Sequence, residues 1–200
     1  MKAIALAAAG VLSLVAVSAS NAQTTTTNPR GFNLPHERGF WGHAGASFGR
    51  SEFEASCPGA FTCDDTDQAY RVFAGGRFNN AIGAEVAWVN LGEWARGGGD
   101  TDSQALDLTL MAGIPFGADG RHSVFGKLGT VYARSEVQGT AAGLNTGKED
   151  GWGPRLGIGA SFGLTQNWAI RADWDRYRIK LPGAKENVDT LTIGAQYQFR

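Results

Sequence analysis

Residues 103–114 read SQALDLTLMAGI, and residues 188–199 read VDTLTIGAQYQF. In the first stretch Leu106, Leu108, Leu110, Ala112 and Ile114 fall at every second position, with Asp107, Thr109 and Met111 between them. In the second, Leu191, Ile193, Ala195, Tyr197 and Phe199 alternate with Thr190, Thr192, Gly194, Gln196 and Gln198. Successive side chains of an extended strand point to opposite faces. Each stretch is therefore a strand with one oily face and one polar face.

The same period recurs along the chain, punctuated by glycine, proline and Asn/Asp. It predicts eight strands, at 40–50, 68–78, 81–91, 103–114, 122–135, 152–163, 168–178 and 188–199. No segment has a helical period. Strand three sets Ile82, Ala84, Val86 and Trp88 against Glu85. Strand five sets Val124, Leu128 and Tyr132 against Phe125, Lys127 and Val131. Strand six sets Leu156, Ile158, Ala160 and Phe162 against Arg155, Gly157, Gly159 and Ser161. Strand seven sets Trp168, Ile170, Ala172 and Trp174 against Arg171, Asp173 and Asp175. One face is continuously apolar; the other mixes glycine, small polar residues and charge.

Composition narrows the choice. Only 18% of the 200 residues are charged, below the ~25% of an average soluble chain. The formal net charge is −1, whereas a nucleic-acid binder normally carries a basic excess. Two cysteines are too few for a disulfide-built miniprotein or a structural zinc cluster. The 42% of hydrophobic residues, set in alternating runs, argue against disorder.

Strand length suits a bilayer. About 10 residues at ~3.3 Å each, tilted ~40°, span roughly 25 Å. The connections alternate. Residues 51–67, 92–102, 136–151 and 179–187 are long; Asn79-Asn80, 115–121 and 164–167 are short. Outer-membrane barrels alternate short periplasmic turns with longer outer loops. Aromatic residues gather at both rims: Phe40, Trp41, Phe78, Phe116, Phe162, Trp168 and Phe199 at the short-turn rim, and Phe48, Tyr70, Trp88, Tyr132, Trp152 and Trp174 at the other. Such girdles mark the two membrane interfaces. Pro154 cannot donate to a ladder, so strand six is expected to begin at or just past it.

Residues 1–22 read as a secretory signal peptide, with Lys2 in the n-region, an uncharged Ala3–Val17 and small residues at Ser20 and Ala22. Residues 23–39 are polar and hold Pro29 and Pro35; they read as a flexible periplasmic N-terminal segment. The expected organisation is signal 1–22, segment 23–39 and barrel 40–199.

The stretch DQAYRVFAGGRFNNAIGAEVAWVNLGEW (67–94) resembles strands two and three of the small OmpA-like outer-membrane β-barrel proteins. The resemblance extends over 40–199. Thr192-x-Gly194-x-x-Tyr197-x-Phe199 is similar to the C-terminal signal read by the barrel assembly machinery, with Arg200 as an addition. The resemblance implies an all-β fold, an eight-stranded antiparallel up-and-down transmembrane β-barrel in the outer membrane of a Gram-negative bacterium. It further implies partners in outer-membrane lipid and lipopolysaccharide, and a role in envelope integrity, adhesion or host contact. No periplasmic peptidoglycan-binding domain is expected after strand eight.

Candidate sites follow from the polar face. Glu85, Asp107, Lys127, Arg155, Arg171 and Asp173 fall near mid-strand, with His43, Arg71, Arg77 and Asp175 nearer the rims. An eight-stranded barrel is only wide enough for side chains to fill, and charges inside must pair or stay hydrated. A salt-bridge network plugging the lumen is expected. The acids Glu52, Glu54, Asp64, Asp65 and Asp67 lack EF-hand spacing, and read as a solvated loop rather than a cation site. His43 and Ser47 are four residues apart on one face, ~13 Å, too far for direct proton transfer. No catalytic site, cofactor or metal is expected, and nucleic acid is not a partner. Two alternatives stand beside the plugged scaffold: a narrow ion-conducting, porin-like channel, and a soluble periplasmic ligand-binding barrel with its oily face inward.

Cys57 and Cys63 share the first long loop and would oxidise outside the cytoplasm. They are expected to resist alkylation in the native protein until a reductant is added. Free labelling of untreated protein would refute a Cys57–Cys63 disulfide stapling that loop.

Overall fold

Eight runs of alternating residues form eight antiparallel strands in the computed structural model: β1 (Trp41–Phe53), β2 (Thr66–Arg77), β3 (Ile82–Arg96), β4 (Gly99–Phe116), β5 (His122–Val137), β6 (Gly147–Gly163), β7 (Trp168–Leu181) and β8 (Ala184–Phe199). The structure describes residues 41–54, 66–78, 81–96, 99–117, 120–138, 146–182 and 184–199. The expected signal 1–22, the 23–39 segment, Cys57, Cys63 and Arg200 lie outside the described residues. Each strand pairs with its sequence neighbours, and β8 returns to β1 to close the barrel. That seam is long, from Gly42 opposite Phe199 to Phe53 opposite Val188. Closure pairs every strand on both sides, the condition for carrying backbone polar groups through hydrocarbon, and the β2–β3 and β6–β7 ladders stop short only at the long-connection end.

The faces separate as the alternation requires. Leu108 and Leu110 point outward, 56% and 64% exposed, while Asp107 and Thr109 between them are buried. Leu106, Ile114, Val124, Leu128, Leu156, Ile158, Leu191 and Ile193 join the outward band. This orientation overturns the soluble alternative, in which the oily face would line the interior.

The two ends of the strands behave differently. At the short-turn end every predicted boundary lies within two residues of the observed one. At the other end the strands run further. β3 continues to Arg96, β4 begins at Gly99, β6 begins at Gly147 and β8 at Ala184. The predicted loops 92–102 and 179–187 therefore shrink to two-residue connections, because Arg96 opposes Gly99 and Leu181 opposes Ala184. Only the β1–β2 and β5–β6 connections stay long. The extra rungs carry polar outward residues, among them Glu93, Asp100, Asp102, Lys148 and Lys185. They belong in water, so they show no oily face by which to predict them.

Two further expectations need correcting. Pro154 lies within β6, not at its start, and opposes Thr130 of β5. The β6–β7 ladder begins only at Arg155 opposite Tyr177. The missing donor thus sits where β6 has no rung to β7. Trp41 was placed in the lipid girdle, but it has the parity of His43 and stacks in the bore, 6.0 Å from the His43 ring with the Arg77 guanidinium 5.5 Å from its own.

The bore is not uniformly polar. Toward the long-connection end, Phe53, Val89, Leu91, Ala105, Val131, Ala133, Val137, Tyr177, Ile179, Leu181 and Val188 form a buried apolar cluster. A sheet extended beyond the membrane has water outside, so its oily residues turn inward as in a soluble barrel. Leu108→Arg, at the membrane centre, should cost ~2–4 kcal/mol of unfolding free energy in lipid vesicles. Gln104→Arg, outward on the same strand but above the band, should cost ~0–1 kcal/mol. Urea unfolding followed by tryptophan fluorescence measures both, and equal costs would misplace the membrane edge.

Candidate functional site: the ion-pair network in the bore

Below the apolar cluster, the bore-facing positions of six successive strands bring charges together. Four cations, Arg71 on β2, Lys127 on β5, Arg155 on β6 and Arg171 on β7, meet four carboxylates. These are Glu85 on β3, Asp107 on β4, and Asp173 and Asp175 on β7. All eight are buried. Buried charge is costly unless it is paired, and here the signs balance.

The bonds interlock. Arg171 donates from Nη1 to Glu85 Oε2 at 2.5 Å and from Nε to Asp173 Oδ2 at 2.8 Å. Arg71 donates to Glu85 as well, with Asp107 and Asp173 each 3.6 Å away. Lys127 Nζ lies 2.6 Å from Asp173 Oδ1 and 2.5 Å from Asp175 Oδ1. Arg155 spans Asp107 Oδ2 at 3.0 Å and Asp175 Oδ1 at 2.7 Å, and also donates to Thr109. His43, from β1, shares Glu85 through Nε2 at 3.0 Å. Aromatic faces wall the cluster. The Arg171 guanidinium lies 4.4 Å from the Phe73 ring centre and 4.8 Å from that of Phe125, and Arg155 lies 5.3 Å from Tyr177. Such stacking favours cations over faces of negative quadrupole.

Glycine supplies the room. Gly157 stands in register between Lys127 and Asp175. A Cβ there would come within 2.0 Å of Asp175 Oδ1. Gly159 stands between Phe125 and Asp173, and its Cβ would meet both within 2.5 Å. Small residues opposite long charged ones let both fit a narrow cylinder.

All six mid-strand candidates, Glu85, Asp107, Lys127, Arg155, Arg171 and Asp173, sit in this one network. Arg71 and Asp175, expected near the rims, also belong to it. Counting from predicted strand ends misjudged their height, because the strands are longer at that end and tilted. Their bore parity was the available signal. Arg77 stays near the short-turn rim, with Nη2 3.3 Å from Ser123 Oγ.

The remaining candidates are dispersed. In the acidic stretch, Glu54 accepts from Arg176 and Asn187, and Asp67 accepts from the Glu93 amide at 2.6 Å; Asp64 and Asp65 lie outside the described residues. Among the described residues, no group of three or more His, Cys, Asp or Glu is arranged to hold a metal. Along β8, Thr192 faces the bore. Gly194 lies at the seam, where a Cβ would come within 2.0 Å of the Ala46 carbonyl oxygen. Tyr197 stacks with Trp168 and with Phe199, both at 5.1 Å.

Removing one partner from this network leaves its opposite buried and bare. Glu85→Gln or Arg71→Met alone should cost about 3–5 kcal/mol. The double variant should cost less than the two losses combined, in a double-mutant cycle read by urea unfolding in vesicles. Strictly additive losses would mean that the two do not act as a pair.

The comparisons agree with the geometry. A family model described as outer membrane protein beta-barrel domain matches residues 7–199. Outer membrane protein A of Yersinia pseudotuberculosis is 27% identical over 141 residues, covering 64% of this chain but only 38% of that protein. Among solved structures, Neisserial surface protein A superposes with a TM-score of 0.58 at 15% identity, over 81% of this chain and 98% of that one. Ail, the attachment invasion locus protein of Yersinia pestis, gives 0.52 at 19%, over 79% and 99%. OprG of Pseudomonas aeruginosa gives 0.52 at 15%, over 82% and 98%. The chain belongs to the outer membrane protein beta-barrel domain family, and its place is the outer membrane.

Proposed function

We propose that this barrel is a non-enzymatic outer-membrane scaffold with a sealed bore, serving the envelope structurally and offering its long-connection end for surface or host contact. One observation carries the reading: two barriers stand in series across the bore. The ion-pair network fills the middle, and the apolar cluster of Leu91, Val131, Tyr177 and Val188 closes the space above it. An ion would have to break the first and shed its water to cross the second.

Among the described residues, the two histidines are held by structural contacts. His43 is buried against Glu85. His122 packs beside the rings of Phe116 and Phe162, at 5.5 and 5.7 Å. Among the described residues, neither ring hydrogen-bonds a hydroxyl. Contact with partners falls to the connections between β1 and β2 and between β5 and β6, since loops on a rigid scaffold commonly carry binding. Thr192, Gly194, Tyr197 and Phe199 would serve recognition by the assembly machinery before the seam closes.

Planar-bilayer recording tests the seal. The wild-type protein should show no resolved conductance steps, and Lys127→Ala and Arg155→Ala should stay silent while the apolar cluster is intact. Wild-type steps whose size changes in either variant would establish the ion-conducting alternative instead.

A further inference from the structure

Two ribbons on opposite sides of the ring leave the membrane in the same way. On β3–β4 the last apolar rung of the outward face is Trp88 opposite Leu106; on β7–β8 it is Trp174 opposite Leu191. The next rung up is neutral on both. Asn90 opposes Gln104 on the first ribbon. On the second, Arg176 opposes Asp189 and donates to it from Nε at 2.7 Å.

Above that level the signs part. On β3–β4 come Glu93 opposite Asp102, then Ala95 opposite Asp100. On β7–β8 come Arg178 opposite Asn187, then Lys185. The rung partner of Lys185 is Lys180, whose chain runs instead along the bore side of Gly151 of β6, where a Cβ would meet its Cδ at 2.8 Å. Asp100, Asp102, Arg178 and Lys185 are all exposed. Among the described residues, none of the four forms an ion pair. The acidic row is crowded. Asp102 stands between Glu93 on β3 and Glu136 on β5, and like charges directly opposite repel. Partial burial, and then Glu136, hold the Asp102 carboxyl above its usual range. A cation alongside would relieve that repulsion. The remaining outward sides are mixed in sign. Arg50 and Glu52 share β1, and β5–β6 carries Arg134, Glu136, Lys148 and Asp150, with Glu136 and Lys148 3.0 Å apart.

We propose that copies of this chain stand side by side in the membrane, with Asp102 and Asp100 of one barrel against Arg178 and Lys185 of the next. The two faces match rung for rung. Asp102 and Arg178 each lie at the second outward position above the Trp–Leu rung, and Asp100 and Lys185 at the third. The bilayer supplies the alignment. Copies inserted from one side are upright and at one depth, so their charged rungs meet at equal height. The faces that meet are different, which makes the contact heterologous. Each added barrel leaves one acidic and one basic face uncovered, so the assembly is an open row rather than a closed pair. Exposed ion pairs are individually weak and are screened by salt, so the row is reversible. It forms whether or not the bore conducts, and stands or falls separately from the sealed-scaffold reading.

The protein, carrying a donor or an acceptor dye on its N-terminal segment, is folded into phosphatidylcholine vesicles, and energy transfer is followed as the lipid-to-protein ratio is raised. Wild-type transfer should exceed that of random encounter at the same density, and about 0.5 M sodium chloride should lower it. D100K/D102K and R178E/K185E should each weaken association about tenfold, because each barrel then repels its own kind. Mixed in equal amounts, the two variants should associate again, alternating acid with base. Heat-dependent gel mobility confirms that each variant is folded, and the salt series on the wild type needs no variant. The proposal is overturned if wild-type transfer equals random encounter, if it is indifferent to salt, if either variant alone matches wild type, or if the mixture does no better than its parts.

Discussion

Glu85 is the knot of the molecule. Its two carboxylate oxygens are shared by Arg71, Arg171 and His43, which come from β2, β7 and β1. A tilted sheet of eight strands could in principle curl to several radii. One short acid gripping groups from across the cylinder limits the diameter to what their side chains can reach. The other three carboxylates and the remaining cations continue that bracing from strand to strand. The interior therefore combines the roles of a core and of a set of cross-ties, and its glycines at 157 and 159 are sized to it.

Two solvents explain why the wall looks as it does. Where hydrocarbon surrounds the barrel, leucine and isoleucine turn out and charge turns in. Where water surrounds it, the preference reverses, and Leu91, Ile179 and Val188 turn in while arginine and aspartate turn out. The alternation never changes phase along β7. Only the chemistry assigned to each parity switches, between Asp175 and Tyr177 on the bore side and between Trp174 and Arg176 on the other.

That switch also explains what could be read from the sequence. The eight strands follow from simple alternation; their order, their closure and the outward sense of Leu108 also needed the alternating connection lengths, the aromatic rims and the family resemblance. The gathering of six charged residues in one bore follows from the same signals. The continuation of β3, β4, β6 and β8 was hidden, because a strand with polar residues outward and Val or Leu inward mimics a polar loop when the membrane pattern is the template. Arg71 and Asp175 were misjudged for the same reason, since their height was measured from strand ends that lay elsewhere. Trp41 shows a different limit. Aromatic residues near a rim suit a girdle or a bore equally, and only parity with His43 distinguishes them.

The two-residue connections at Arg96–Gly99 and Leu181–Ala184 make the outer crown uneven. Two of its four corners are stiff ribbons whose shape is dictated by backbone pairing. The other two are longer stretches of sequence, from Phe53 to Thr66 and from Val137 to Gly147. Mutational drift and inserted sequence will therefore be tolerated unequally around the rim. The β1–β2 and β5–β6 corners have the sequence length to diversify under outside pressure, while a single residue added to the β7–β8 ribbon, whose register runs unbroken, would slip it and turn its faces inside out.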